Sequence, residues 1–251
     1  VEESGAGLNR VASGSSHFAA AIVDPLRDFF RHHGASASAA LALVCVYRLP
    51  DLVRSVMGPF FLDLGFTFVE LGGGQRVWGM AMTMGGVAAG GVAVSRLGLK
   101  RALLIGAFCG PAAGIALAWL TTQGRHIGAL VVVTAVEHAA SGFAGTCLIA
   151  YMSSLTTPGF TATQYALLSS LFALPGRLLA SQSGWIVEAS TGAAVAGVLA
   201  PLAVLFTGLP AGSYGAHADA AALGTGYFVF FLYSALLGFA GIVLTMCITR
   251  R

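Results

Sequence analysis

Three ionisable side chains occupy the middle of a stretch that is otherwise apolar enough for lipid. Arg48, Asp51 and Arg54 lie three residues apart within VCVYRLPDLVRSVMGPFFL, residues 44–62. At about 100° per residue, this spacing places them on one stripe of a helix, where Asp51 can pair with either arginine. Each charge at membrane depth costs about 2.5–3.5 kcal/mol, and residues that bear this cost usually have a function.

The stripe has two interpretations. Two arginines against one acid leave positive charge unmatched, which favours one wall of an aqueous solute path over a closed ion cluster that fixes this helix to a neighbour. Arginine donors on such a wall suit a carboxylate or a phosphate. We therefore predict that Arg48 and Arg54 contact substrate and that Asp51 takes part in proton coupling.

A second ionisable pair, Glu137 and His138, lies in the apolar stretch VVVTAVEHAASGFAG. Burial disfavours a charged carboxylate, so we predict proton coupling for Glu137. Alternatively, Glu137 is the partner of Arg48 or Arg54, and the two roles are compatible because a carboxylate can exchange an arginine for a proton. Adjacent helical residues point about 100° apart, so we expect that the two do not both face one site and that His138 is a packing residue.

A proline and a glycine precede another arginine in SLFALPGRLLASQSG. They predict a kinked or unwound helix at Arg177, and broken helices build substrate sites in transporters. The alternative is a plain kink, with Arg177 reaching the membrane interface. Neutral side chains nearby suit sugar or amide groups, and with Arg177 they complete the predicted substrate contacts: Gln164, Ser169 and Gln182, with Ser170 beside them.

The composition indicates a membrane protein. Of 251 residues, 57% are hydrophobic and only 9% are charged, whereas soluble domains carry about 25% charged residues. Long continuous apolar runs predict helices, because backbone groups in lipid must be satisfied internally. We predict an all-α, polytopic bundle of six transmembrane helices at 37–64, 77–94, 102–121, 127–155, 165–187 and 227–248.

The basic residues predict the orientation of this bundle. If the first helix starts in the cytoplasm, the cytoplasmic set is Arg10, Arg27, Arg31, Arg96, Lys100, Arg101, Arg250 and Arg251, and only Arg76 and Arg125 lie outside. This bias obeys the positive-inside rule. A seventh crossing at 193–206 would place Arg250 and Arg251 outside, against this rule. We therefore predict a re-entrant or interfacial element within an external insertion at about 190–225.

The amino-terminal residues are more polar than the apolar runs that follow. We predict that residues 1–21 are a flexible segment of a longer gene product and that residues 22–34 form an amphipathic interfacial helix, before the bundle at 35–251.

The charge and the cysteines exclude several partners and cofactors. The net charge of +3, without a run of Lys or Arg, argues against a nucleic-acid partner. Four isolated cysteines predict neither disulfides nor a metal site, and we expect no cofactor.

Two sets of motifs resemble known families. GGVAVSRLGLKRALL, with Gly91, Arg96, Gly98, Lys100 and Arg101, resembles the conformational signature loop of the major facilitator superfamily, although Ser95 replaces the usual acid. The segments DPLRDFF, YRLPD, FTATQYALLSSL and GR…GWIVEA, with Glu137 before a Gly-rich stretch, resemble AmpG-type muropeptide permeases. That second resemblance runs from about residue 24 to 188.

The resemblance implies a proton-driven importer of anhydro-muropeptides in the bacterial inner membrane. Such permeases have twelve helices, so a six-helix chain corresponds to the carboxyl-terminal half and needs an amino-terminal half as its partner. Alternatives are a transporter of another anionic solute such as acetyl-coenzyme A, a structural membrane subunit, and a membrane enzyme. The enzyme is disfavoured because no nucleophile stands in a recognisable activated setting.

Overall fold

The computed structural model describes residues 27–31, 34, 36–72, 74–157, 161–206, 209–210, 213–215 and 219–249. Every regular element in these residues is helical. In chain order they are α1 (Ser36–Val46), a 3-10 helix (Leu49–Val53), α2 (Arg54–Asp63), α3 (Phe68–Gly72), α4 (Gly74–Leu97), α5 (Leu99–Gln123), α6 (Ile127–Leu155), α7 (Thr161–Ala180), α8 (Ser183–Val195), α9 (Ala200–Ala203), a second 3-10 helix (Val204–Phe206) and α10 (Ala220–Thr249).

The predicted all-α, polytopic membrane protein is confirmed. Within the described residues, four stretches are long and apolar enough to cross a membrane: Phe68–Leu97, Leu99–Gln123, Ile127–Leu155 and Ala220–Thr249. A fifth is added if Thr161–Val195 and Ala200–Phe206, which meet at 92°, form one broken span. This bend lies where the sequence predicts a re-entrant or interfacial element.

The first predicted span, 37–64, is not one continuous helix. α1 ends at Val46, a 3-10 helix follows from Leu49, and α2 starts at Arg54. Pro50 occupies the start of the 3-10 helix, where its missing N–H and fixed φ are tolerated. The break therefore coincides with the three charged residues. A 3-10 helix has about three residues per turn, so residues three apart lie on one line, as the stripe requires.

The predicted break in the fifth span lies farther along the chain than expected. α7 continues through Pro175 and ends at Ala180. A tight turn follows, in which the Gln182 N–H donates to the Leu179 carbonyl over 3.1 Å. The helix resumes as α8 at Ser183. The broken element thus follows Arg177 instead of preceding it.

Small residues bring the long helices close together. α4 packs on α6, α5 packs on α6 and α10, and α8 packs on α10. A Cβ at Gly90 of α4 would lie 3.0 Å from the Phe143 carbonyl oxygen of α6, and one at Gly110 of α5 would lie 2.8 Å from Pro50. α6 therefore lies close to α4, and the 3-10 helix of the broken first segment lies close to α5.

The amino-terminal predictions fall largely outside the described residues. Residues 27–31 are helical, with Phe29 buried and Phe30 exposed. The flexible segment 1–21 and most of the interfacial helix 22–34 lie outside the described residues.

Candidate functional site

Two arginine–carboxylate pairs form the centre of the candidate site. Arg48 Nη2 pairs with Asp51 Oδ2 within the 3-10 segment. Arg54 Nε donates to Glu137 Oε1 over 2.9 Å and so joins α2 to α6. The expectation that positive charge stays unmatched does not hold, because Glu137 supplies the second acid. The four charges compensate one another.

A cavity of about 600 Å³ lies beside these pairs. We call it the Arg54 cavity, and its lining residues are Arg48, Arg54, Met57, Thr83, Val87, Glu137, His138, Ser141, Gly142, Gly145, Thr146 and Ile149. The Arg54 side chain is 45% exposed, whereas that of Glu137 is only 4% exposed. The arginine is therefore accessible from the cavity, and the carboxylate lies behind it.

His138 shares this cavity with Glu137, which differs from the expectation that the two do not face one site. His138 Nδ1 lies 2.9 Å from Glu137 Oε2 and 3.0 Å from the Thr134 carbonyl oxygen, one turn earlier on α6. Helical side chains lean toward the amino terminus of their helix. Both side chains lean in the same direction and are long enough for their polar ends to meet, 2.9 Å apart, despite the angular separation of the two positions.

Arg48 is held by three contacts. Besides its ion pair with Asp51, its Nη2 donates to Ser141 Oγ over 3.0 Å. Its guanidinium carbon lies 5.9 Å from the centre of the Phe172 ring, within range of a cation–π interaction. Its buried Nε has no hydrogen-bond partner among the described residues. The Arg48 side chain is 21% exposed and lines the Arg54 cavity.

A small cavity lies between the two acids. It measures about 10 Å³ and is lined in part by Asp51, Glu137 and Ser141. This volume is near the lower limit for one water molecule, which requires about 10–15 Å³ and several polar partners. The two ion pairs are therefore neighbours within one polar region.

The remaining predicted substrate contacts lie outside the Arg54 cavity. Gln164 is buried at the start of α7, where its Oε1 accepts from Thr157 N over 2.8 Å and its Nε2 donates to Asp28 over 3.3 Å. Ser169 donates to the Ala166 carbonyl of its own helix. Arg177 and Gln182 are exposed on α7 and in the following turn.

The loop that resembles the signature motif is a tight connection between α4 and α5. Gly98 alone separates the two helices, and its φ of +83° is a conformation that favours glycine. Gly91, Arg96, Lys100 and Arg101 are exposed around it. Ser95, in place of the usual acid, donates to the Val92 carbonyl of its own helix over 3.0 Å.

Ser141 and Phe172 contact Arg48 although the sequence did not single them out. Ser141 lies one turn after Glu137, and this spacing places both residues on the same side of α6. The sequence therefore contains a pattern from which Ser141 could have been predicted as a site residue. Phe172 reaches Arg48 from α7, and no local pattern predicts a contact between such distant parts of the chain.

Together these features define a multi-pass membrane protein with a charge-compensated polar cavity inside a helical bundle. Over 169 residues, the chain is 30% identical to the AmpG 4 protein of Rickettsia felis, an alignment that covers 67% of this chain and 40% of that protein. Over 171 residues, it is 32% identical to the anhydromuropeptide permease of Escherichia coli, covering 67% of this chain and 34% of the permease. The AmpG 3 protein of Rickettsia typhi is 32% identical over 145 residues.

The chain is therefore related to AmpG-type permeases over two thirds of its length, which confirms the resemblance found in the sequence. It is a multi-pass protein of the bacterial inner membrane. It spans well under half the length of these relatives, 40% and 34% for the first two. No family model and no solved structure matches the chain.

Proposed function

We propose that this chain is the carboxyl-terminal six-helix half of a proton-coupled permease that imports anhydro-muropeptides. The observation that carries the proposal is the Arg54–Glu137 pair on the wall of the 600 Å³ cavity. It combines an accessible cation with a buried carboxylate, in a chain related to a protein named for this substrate.

The cavity chemistry suits an anionic, hydroxyl-rich solute. Guanidinium groups bind carboxylates through paired N–H donors, so Arg48 and Arg54 would hold peptide carboxylates of a muropeptide. Hydroxyl groups of Thr83, Ser141 and Thr146 line the same cavity and would bind sugar hydroxyls. Ser169, Arg177 and Gln182 lie elsewhere, so the proposed substrate contacts of this half are the two arginines.

Proton coupling follows from competition for Arg54. When Glu137 is ionised, it occupies the arginine. A proton that binds the Glu137 carboxylate removes its charge, weakens the ion pair and frees the guanidinium for a substrate carboxylate. The substrate carboxylate then replaces the Glu137 carboxylate as the partner of Arg54, so the arginine is not left as an isolated charge at membrane depth. Asp51 would hold Arg48 in the same way.

The second wall of the path would come from an amino-terminal six-helix half. Permeases of this architecture work by rocking one half against the other around a site near the membrane midplane. This chain spans 34% of the Escherichia coli permease, and so leaves room for such a half. A chain of this length alone should not transport.

The test is uptake by the complete permease, with both halves, in sealed vesicles. We expect a gradient with acid outside to drive accumulation of radiolabelled anhydro-muropeptide, and Arg54→Gln to abolish it. Arg31→Gln is the matched control, because Arg31 is exposed and lines neither the Arg54 cavity nor the other cavity beside His138. Accumulation of acetyl-coenzyme A instead would overturn the substrate, and gradient-independent uptake would overturn the coupling. Unchanged uptake in the Arg54 variant would support a structural subunit.

A further inference from the structure

His138 lies between two cavities. Besides the Arg54 cavity, it lines a cavity of about 650 Å³ in which Asp63 and Arg76 are the charged residues; we call this the Asp63 cavity. Among the described residues, His138 is the one side chain that lines both. It is 32% exposed. The imidazole is therefore accessible from a space that the Glu137 carboxylate does not reach.

Both oxygens of Glu137 are already engaged. Oε1 accepts from Arg54 Nε, and Oε2 lies 2.9 Å from His138 Nδ1. The side chain is 4% exposed. An arginine holds its proton too strongly to pass it on. Of the two groups that contact the carboxylate, only the imidazole can deliver a proton.

The two nitrogens of His138 have different surroundings. Nδ1 faces two acceptors, the Glu137 carboxylate and the Thr134 carbonyl, so Nδ1 carries the hydrogen. Nε2 makes no hydrogen bond to a described residue and lies against Gly79 of α4, where a Cβ would be only 2.8 Å away. Glycine at this position lets the imidazole lie this close to α4, and any larger residue would press on Nε2.

We propose that His138 is the proton-transfer residue that connects the Asp63 cavity to Glu137, a proposal that rests on the proposed function. A proton from water in the Asp63 cavity binds Nε2 and gives the imidazolium. The Nδ1 proton then moves to Glu137 Oε2, which leaves a neutral carboxyl and a neutral imidazole with its hydrogen on Nε2. Loss of the carboxylate charge frees Arg54 for substrate. During import the carboxyl proton leaves to the cytoplasmic side, the ionised Glu137 pairs with Arg54 again, and exchange with water returns the imidazole hydrogen to Nδ1.

The charges around His138 suit this transfer. Glu137 is the charged group in contact with the imidazole, with Oε2 2.9 Å from Nδ1, and its negative charge favours the imidazolium, whereas Arg54 on the other side of the carboxylate opposes it. Arg48 also lines the Arg54 cavity and is paired with Asp51, and Asp63 and Arg76 line the Asp63 cavity. In the predicted topology, the Asp63 cavity lies toward the external side with Arg76.

The test uses His138→Asn in the complete permease. The Asn amide can still donate from the Nδ1 position but cannot relay a proton. We expect gradient-driven accumulation to fall about tenfold, because a positioned proton-transfer group is lost. Exchange of labelled for unlabelled substrate, which needs no net proton movement, should stay within about twofold. The matched control is His126→Asn, because His126 caps the start of α6 and Asn is also a good cap.

A second measurement does not depend on the substrate. After a pH jump, infrared difference spectroscopy follows the band of the protonated Glu137 carboxyl, assigned by its loss in Glu137→Gln. We expect this band to rise about tenfold more slowly in His138→Asn and in Gly79→Ala, whose methyl group crowds Nε2. An unchanged rate, or equal losses of exchange and accumulation, would overturn the proposal. If the wild-type permease ignores muropeptide but its Glu137 band still depends on His138, only the substrate assignment fails.

Discussion

Arg54 Nε and Glu137 Oε1 lie 2.9 Å apart and connect the start of α2 to the middle of α6. The pair is asymmetric, because the arginine side chain is 45% exposed and the glutamate side chain only 4%. A ligand can therefore approach the guanidinium while the carboxylate stays buried, and it competes with that carboxylate for the arginine. This asymmetry suits a pair that opens and closes during a transport cycle better than one that only ties two helices together.

Neutralising the acid tests this interpretation. Glu137→Gln keeps the shape of the side chain and a hydrogen-bond acceptor for Arg54, but it cannot take up a proton. We expect pH-coupled uptake by the complete permease to be abolished while membrane insertion and expression stay normal. The measurement is accumulation in sealed vesicles as a function of external pH, with quantitative immunoblotting of the membrane fraction.

The control for this variant is Glu188→Gln, because Glu188 is exposed on α8 and lines a different cavity. It should accumulate substrate as the wild type does. Normal proton-coupled accumulation in Glu137→Gln would remove Glu137 from the mechanism.

Much of the fold follows from the sequence, because lipid imposes one strong rule. Long apolar runs must be helical, and the boundaries of α6 match the prediction at Ile127 and Leu155. Pro50 predicts a bend in the first span, but the structure shows a full interruption of the α-helix between Val46 and Arg54. Proline is tolerated inside membrane helices, as Pro111 is in α5, so its presence alone does not locate a break.

The candidate site could be predicted only in part. The three-residue spacing of Arg48, Asp51 and Arg54 correctly placed them together, because it depends on local geometry alone. The choice of Arg54 as the partner of Glu137 depends on where the tertiary fold places the start of α2 relative to α6, which no spacing encodes. The same holds for the position of His138 between two cavities, since each cavity is formed by several helices.

The stability of the Arg54–Glu137 pair provides a second prediction. Arg54→Ala leaves the Glu137 carboxylate without its guanidinium, and we expect a loss of about 1–3 kcal/mol, less than for a fully buried pair because Arg54 is partly exposed. Adding Glu137→Gln should recover most of this loss. The measurement is thermal unfolding of the complete protein in detergent for both single variants and the double variant. Additive losses would show that the two side chains do not interact.

Close approach of α4 and α6 provides a third prediction. A Cβ at Gly86 would overlap the Ala139 backbone of α6, and backbone cannot move aside easily. We expect Gly86→Ala to destabilise the protein by about 1–3 kcal/mol. Gly85→Ala is the matched control, since no heavy atom lies within 4 Å of a Cβ there. Its effect should be neutral or slightly stabilising, because alanine is the better helix former.

Thermal unfolding of the two glycine variants in detergent distinguishes these outcomes. Equal stability of Gly86→Ala and Gly85→Ala would mean that the two helices are farther apart than described. A selective loss at Gly86 would support the packing that positions Glu137 and His138 on the cavity wall.

A hydrogen bond at the far end of α2 provides the last prediction. Tyr227 of α10 is buried, and its hydroxyl donates to Asp63 Oδ2 over 2.5 Å. Tyr227→Phe removes this donor from a carboxylate that lines the Asp63 cavity, so we expect a loss of about 1.5 kcal/mol in thermal unfolding experiments. Tyr233→Phe, on the same helix and only partly buried, is the matched control and should change stability little.

If Asp63 helps to attract protons toward His138, Tyr227→Phe should also change the external pH that gives half-maximal uptake, whereas Tyr233→Phe should not. A stability loss without any change in that pH would assign the Tyr227–Asp63 bond to folding alone.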